Sequence, residues 1–187
     1  MQPTFDLAHA FTAKWEGGLV DNPADPGGIT GYGVSLRFLQ DYAQKKQDNR
    51  DFLHRIGVRL PVTPSAIRSL NRDHARAIFR RAFWDVLTLD DFPRLPAIAQ
   101  YDCAVNAGIR QSVLLLQRAL GVADDGILGP QTREAAKGAD EAELAKLLCI
   151  FRKNFYADLV RSKPELSTFL RGWNNRVNDL MEYLEAS

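Results

Sequence analysis

Apolar residues return every three or four positions along almost the whole chain, and this regularity restricts the fold to packed amphipathic helices. Phe5, Leu7, Ala8, Phe11 and Trp15 make the first stripe behind Thr4, a possible cap, and Gly17-Gly18 is a plausible stop. Glycine suits that place because it accepts the left-handed conformation in which helices end. Further stripes are Leu36, Leu39, Tyr42 and Ala43; Ile67 and Leu70 behind Thr63-Pro64; and Ala75, Ile78, Phe79, Ala82 and Phe83 behind Asn71. Pro96 opens a helix running through Ile98, Tyr101 and Val105 to Gly108, and Val113, Leu116 and Leu120 form another that stops at Gly121. Asp140 and Glu143 suggest a capping box for a helix carrying Leu144, Leu147, Leu148, Phe151 and Phe155. Phe169, Trp173, Val177, Leu180 and Leu184 mark a last one. Residues 44–60 are polar and carry no clear period. The expected class is mainly α.

Between Leu19 and Gly33 the text changes to Asp21-Asn22-Pro23, Asp25-Pro26-Gly27-Gly28 and Gly31-Tyr32-Gly33. This is turn chemistry with room for very short strands only, so a compact loop or small β hairpin is expected after the first helix.

A chain of 187 residues can bury one domain, or a domain with a small subdomain. Lys and Arg number 24 against 23 Asp and Glu. No global field therefore draws the protein to nucleic acid or an anionic membrane. The longest aliphatic run, Val113 to Leu116, is far too short to span a bilayer, and Met1 to Asp6 shows no signal-peptide pattern. Cys103 and Cys149 each sit in an apolar helical pattern and read as buried free thiols, a disulfide being the alternative. His9, His54 and His74 are scattered, and no His, Cys, Asp and Glu cluster has ligand spacing, so no metal and no cofactor are expected. Asp124-Asp125-Gly126 lacks the remaining ligands of a calcium loop.

Glu16 follows the apolar stripe, adjoins Trp15 and precedes two glycines that leave the space beside it free of side chains. A carboxyl so placed is partly desolvated, and desolvation favours the protonated form that a general acid must present. A solvent-exposed glutamate at a frayed helix end is the plain alternative. Asp25 and Thr30 lie nine and fourteen positions beyond Glu16 on a loop that can fold back toward the helix end. A second carboxylate and a hydroxyl could there hold a water opposite Glu16. Asp25 could equally bond the backbone of its own turn.

Phage-type lysozymes are similar in placing a helix-terminal Glu before a small hairpin that supplies an Asp and a Thr; here the Asp-to-Thr interval is one residue shorter. Trp15-Glu16-Gly17-Gly18, followed by Asp25-Pro26-Gly27-Gly28-Ile29-Thr30-Gly31-Tyr32-Gly33-Val34, resembles the signature of glycoside hydrolase family 108. That family consists of lysozyme-like N-acetylmuramidases. The resemblance implies a lysozyme-like helical fold, Glu16 as the essential acid, Asp25 and Thr30 as its assistants, and Tyr32 as a substrate contact.

In Tyr101-Asp102-Cys103-Ala104-Val105-Asn106-Ala107-Gly108 two polar residues, Asp102 and Asn106, interrupt an apolar face and need partners. Either they join a buried polar network between helices, or Tyr101, Asp102 and Asn106 contribute to the sugar cleft; the family resemblance extends through Ala104-Val105-Asn106-Ala107-Gly108. Leu116-Gln117-Arg118-Ala119-Leu120-Gly121 and Asp125-Gly126-Ile127-Leu128-Gly129-Pro130-Gln131-Thr132 are similar to helical peptidoglycan-binding repeats. A turn serving only the fold is the alternative. Arg72, Arg76 and Arg80 form a basic stripe that reads as a solvated helix face, or as a contact for cell-wall carboxylates.

These expectations describe a catalytic part, residues 1–93, and a helical peptidoglycan-binding part, residues 94–187, packed as one monomeric unit on glycan strands. The rivals are a non-catalytic cell-wall-binding or secretion-helper protein and a lytic transglycosylase of the same fold. The expected place of action is the periplasmic cell wall, reached by holin-dependent release, as for an endolysin, or by specialised secretion.

Overall fold

The first stripe forms helix α1, Thr4–Glu16. It ends where glycine permits, Gly17 standing at φ +72°. The computed structural model describes residues 3–18 and 28–187. Asp25 and the rest of residues 19–27 lie outside the described residues.

The chain divides into two compact units, Thr12–Ala82 and a second made of Met1–Phe11 with Phe83–Ser187. Their boundaries differ from a division at residue 93. The physical reason is that the aromatic residues of the first stripe pack among those of the later chain. The Phe5 ring lies edge-on to Trp84 and Tyr101 at 5.3 and 5.7 Å, and Phe11 meets Tyr183 at 5.2 Å.

In the unit Thr12–Ala82, strands β1, Thr30–Gly31, and β2, Val34–Ser35, form an antiparallel hairpin pairing Thr30 with Ser35 and Gly31 with Val34. Leu36 N–H donates to the Ile29 carbonyl at 2.9 Å, and Ile29 and Val34 are buried. Helix α2, Leu36–Lys45, starts on Ser35, whose Oγ accepts from Phe38 N–H, and buries Leu39, Tyr42 and Ala43 as its stripe predicts. Helix α3, Gln47–Arg55, occupies the polar stretch that has no readable period. It buries only Leu53, so there is no stripe to see; its Phe52 ring instead carries the Arg81 guanidinium at 4.7 Å, and Arg81 also pairs with Asp48. Helix α4, Pro64–Arg68, has proline in its first turn, where the missing N–H costs nothing. Helix α5, Arg72–Phe79, is opened by a capping box in which Asn71 accepts from His74 N–H at 2.8 Å and His74 Nδ1 accepts in return. Arg72 and Arg76 are exposed and Arg80 is half-buried, largely the solvated face that the stripe suggested. The helix then widens into a π turn, Arg80–Trp84.

In the other unit a short 3-10 turn, Leu89–Asp91, precedes helix α6, Arg94–Ala107. Every residue from Pro96 to Ala104 is buried, as befits a central helix. Helix α7, Ile109–Leu120, ends on Gly121 in the left-handed conformation, and α8, Pro130–Gly138, again begins on proline. Helix α9, Glu141–Ser162, and helix α10, Ser167–Glu185, complete the unit; α9 packs against α6, α7 and α10. Asp140 caps α9 by accepting from Glu143 N–H at 2.9 Å. Glu141, beside the cap, bonds another helix: it accepts from Leu95 N–H at 2.7 Å and satisfies an open donor in the first turn of α6. Cys103 and Cys149 are free and buried, and burial pushes their thiols up to about 11 and about 12. Among the described residues no helix is long and apolar enough to cross a membrane.

Candidate active site

Glu16 closes α1 as a half-buried residue. The hairpin reaches it through a two-residue turn, Tyr32-Gly33, with φ of +52° and +80°. Positive φ at both central residues matches the right-handed twist of the flanking strands, which is why such hairpins are tight. Gly33 is required for a second reason. A Cβ at this position would stand 2.6 Å from Glu16 Cβ, 3.0 Å from its Cγ and 3.2 Å from Phe79 Cζ. The stem of Glu16 therefore rests on bare hairpin backbone, near the edge of the Phe79 ring. Beyond Glu16, a Cβ at Gly17 or Gly18 would meet none of the described residues within 4 Å. The carboxyl is thus braced at its stem, and the two following glycines leave room beside it.

Gly33→Ala should uncouple this brace. Left-handed backbone costs a non-glycine residue about 1–2 kcal/mol, and the added methyl must also displace Glu16. Misplacing a catalytic group by about 1 Å costs on the order of 10²-fold in rate. The expected result is a protein that remains helical by circular dichroism with kcat lowered by about that factor.

Tyr32 lies in the left-handed region without being glycine, at a cost of about 1–2 kcal/mol. Thr30, half-buried, donates its hydroxyl to the Gly28 carbonyl at 3.4 Å, which ties β1 to the residue two positions before it.

The polar residues of α6 are placed in the interior. Asp102 is 0% exposed, and it binds Arg152 Nη1 at 2.6 Å and Arg176 Nη2 at 2.7 Å, with Arg176 Nε at 3.1 Å from both oxygens. Burial raises its carboxyl, but the Arg152 and Arg176 guanidiniums outweigh burial and hold it below the usual carboxylate range. Arg152 Nε donates to the Tyr156 hydroxyl at 2.7 Å, and that hydroxyl donates to Asn106 Oδ1. Tyr101, also 0% exposed, has its hydroxyl 2.9 Å from His9 Nδ1. For Tyr101 and Asp102 the geometry fits the buried network and not a surface open to sugar; only Asn106 is half-buried. The partners Arg152 and Arg176 escaped the reading of the sequence. Their signal is that each is a charged residue inside an apolar helical stripe, Arg152 beside Phe151 and Arg176 beside Val177.

Gln117 was likewise visible only as part of a motif. Its buried amide donates to Asp125 Oδ1 at 2.8 Å, the Ile127 carbonyl at 3.0 Å and Thr132 Oγ1 at 3.2 Å, while its oxygen accepts from Gly126 N–H at 2.8 Å. Asp125 Oδ1 also accepts from Ile127 N–H, and hydrogen bonding, from Gln117 first, lowers its carboxyl below the ordinary value. One side chain therefore shapes the loop between α7 and α8. Gln117→Ala should cost about 1–3 kcal/mol, the penalty for leaving buried partners unmade. Urea unfolding should register that loss, with hydrogen exchange accelerating across residues 121–129.

A mainly helical chain that ends its first helix on a braced carboxyl, next to a small hairpin, falls in the lysozyme-like class of folds. Residues 9–108 match Glycosyl hydrolase 108 and residues 111–178 match the Predicted Peptidoglycan domain. The chain belongs to the glycosyl hydrolase 108 family, and with its second region it is a peptidoglycan-acting glycoside hydrolase of the lysozyme type. The solved structure of SagA from Brucella abortus is similar, with 28% identity over 98% of this chain and 94% of that one, at a TM-score of 0.78. No curated protein matches the chain.

Proposed function

We propose that the chain is an N-acetylmuramidase that hydrolyses the β-1,4 bond between N-acetylmuramic acid and N-acetylglucosamine, with Glu16 as general acid. The observation that carries this reading is the seat of Glu16, a half-buried carboxyl whose stem is fixed by Gly33 within the region that matches the family. Glu16 gives its proton to the glycosidic oxygen as the bond to C1 breaks, and a water attacks C1 of the oxocarbenium-like sugar. Thr30 and Asp25 are the groups assigned to hold that water, whose proton passes to a carboxylate as the new C1–O bond forms. The partner is the glycan strand of the cell wall, met by a monomer that reaches it by holin-dependent release or specialised secretion.

A turbidity assay on outer-membrane-permeabilised Gram-negative cells tests the reading. Wild-type protein should clear the suspension, whereas Glu16→Gln should bind the wall and leave it intact. Equal clearing by both proteins removes Glu16 from the chemistry, and clearing by neither leaves a wall-binding protein without catalysis.

A further inference from the structure

Helices α2 and α3 and the segment that follows them enclose a groove apart from the residues assigned to the chemistry. Gln40 and Gln44 are four positions apart on α2 and so share one face of it. With Ala43 they make one wall; Arg50 of α3 and Leu60-Pro61-Val62 make the others, around about 600 Å³ of space. Sites for small ligands span about 300–1,000 Å³. Gln40 Nε2 donates to the Val62 carbonyl at 3.0 Å, which fixes the amide and ties the segment to α2. All these residues belong to the unit Thr12–Ala82. The lining thus joins a small apolar surface to two amides and a guanidinium.

Its surroundings carry a sign. Residues 12–82 hold 12 Lys and Arg against 7 Asp and Glu, although the whole chain is close to balance. Lys45 and Arg59, exposed like Arg50, stand next to the lining residues Gln44 and Leu60 in the chain. Of the acidic residues nearest in the chain, Asp48 pairs with Arg81 and Asp51 accepts from Gln47 Nε2 at 2.7 Å, while Asp41 is exposed. An anionic partner is therefore favoured.

We infer that this groove binds the peptide stems of the cell wall, with the Arg50 guanidinium on a stem carboxylate and the Gln40 and Gln44 amides on the peptide bonds of the stem. A guanidinium meets a carboxylate through two parallel hydrogen bonds, and a side-chain amide both gives to and accepts from a peptide unit. Ala43, Leu60, Pro61 and Val62 offer the apolar contact that alanine methyls need. In a glycan strand the fixed negative charge sits on the stems, because the sugars are neutral and the lactyl carboxyl of muramic acid is taken up in the amide that joins the stem. A cationic groove thus favours stem over sugar. The inference rests on the peptidoglycan reading and adds to it a preference for glycan that carries peptides.

Two measurements on the full chain test it. In the first, an N-acetylated tetrapeptide stem is titrated into the Glu16→Gln protein and followed by NMR. Shifts should centre on Gln40, Gln44, Arg50 and Leu60. Arg50→Ala should weaken binding by about five-fold, the upper end for an exposed ion pair, and Arg50→Lys by less, because the charge stays while the planar fork is lost. Arg50 is exposed, so its variants should keep the wild-type melting temperature. The second compares kcat/KM on soluble uncrosslinked glycan strands with and without their stems, the stems being removed by an amidase. Arg50→Ala should reduce the preference for stem-bearing strands by about five-fold. An equal loss on both forms of glycan overturns the inference, as do shifts centred outside the groove or a wild-type preference that Arg50→Ala leaves intact. A protein that binds the stem at Arg50 and cuts neither glycan refutes the hydrolase reading alone, whereas cutting without stem binding refutes this inference alone.

Discussion

Glu16→Gln is expected to lower kcat on purified sacculi by about 10²–10⁴-fold, the usual contribution of a positioned acid or base. Glutamine keeps the length and shape of the side chain, so the contacts of its stem with Gly33 and Phe79 are retained. What it lacks is a proton of suitable acidity to give to the leaving oxygen. Glu16 is itself only half-buried, so the substitution removes no fully buried charge. Melting temperature and retention on sacculi should therefore match the wild type, which separates a chemical defect from a folding one. A variant that loses stability along with activity would instead make Glu16 a structural residue.

The largest effect on stability should come from Asp102→Ala, far from any change at Glu16 in the sequence. Asp102 is the carboxylate shared by the buried guanidiniums of Arg152, 1% exposed, and Arg176, 5% exposed. Without it both buried guanidiniums lose this shared counter-charge, and breaking a buried pair in this way costs about 3–5 kcal/mol. For a chain of this size that corresponds to a fall of about 6–20 °C in melting temperature. The same cluster sets an acid limit. The Asp102 carboxyl is held below its ordinary value, so its contribution is complete above the unfolded-state value of about 3.9 and is lost as pH falls through the lower folded-state value. Melting temperature measured from pH 7 to pH 3 should drop steeply at the acid end for wild type. In Asp102→Ala the part of that drop due to this group should vanish.

The helical class was legible because burial enforces period: Leu39, Tyr42 and Ala43 on α2, and Val177, Leu180 and Leu184 on α10, are buried where their stripes put them. The same logic shows why α3 was not readable, since a helix that buries Leu53 alone leaves no repeating signal. Phe169 is the opposite case. It falls on the apolar period of α10 yet is 54% exposed, stacked on Trp173 at 5.8 Å. Periodicity reports a face, and at Phe169 the described residues cover only part of it. The place of Glu16 and the hairpin after it followed from glycines and turn residues, which act locally. The brace itself did not, because the approach of Gly33 to Glu16 depends on how the hairpin and the end of α1 meet. Long-range partners were hidden for the same reason: Asp102 announced that it needed a counter-charge, but 50 residues separate it from Arg152 and 74 from Arg176.

The most direct test of the account is the identity of the ends created when purified sacculi are digested, read by mass spectrometry of the released muropeptides before and after borohydride reduction. Reducible N-acetylmuramic acid ends should accumulate with wild-type protein and be absent with Glu16→Gln. Release of 1,6-anhydro-muramic acid would contradict it by making the enzyme a lytic transglycosylase, and fragments released equally by both proteins would contradict the role of Glu16.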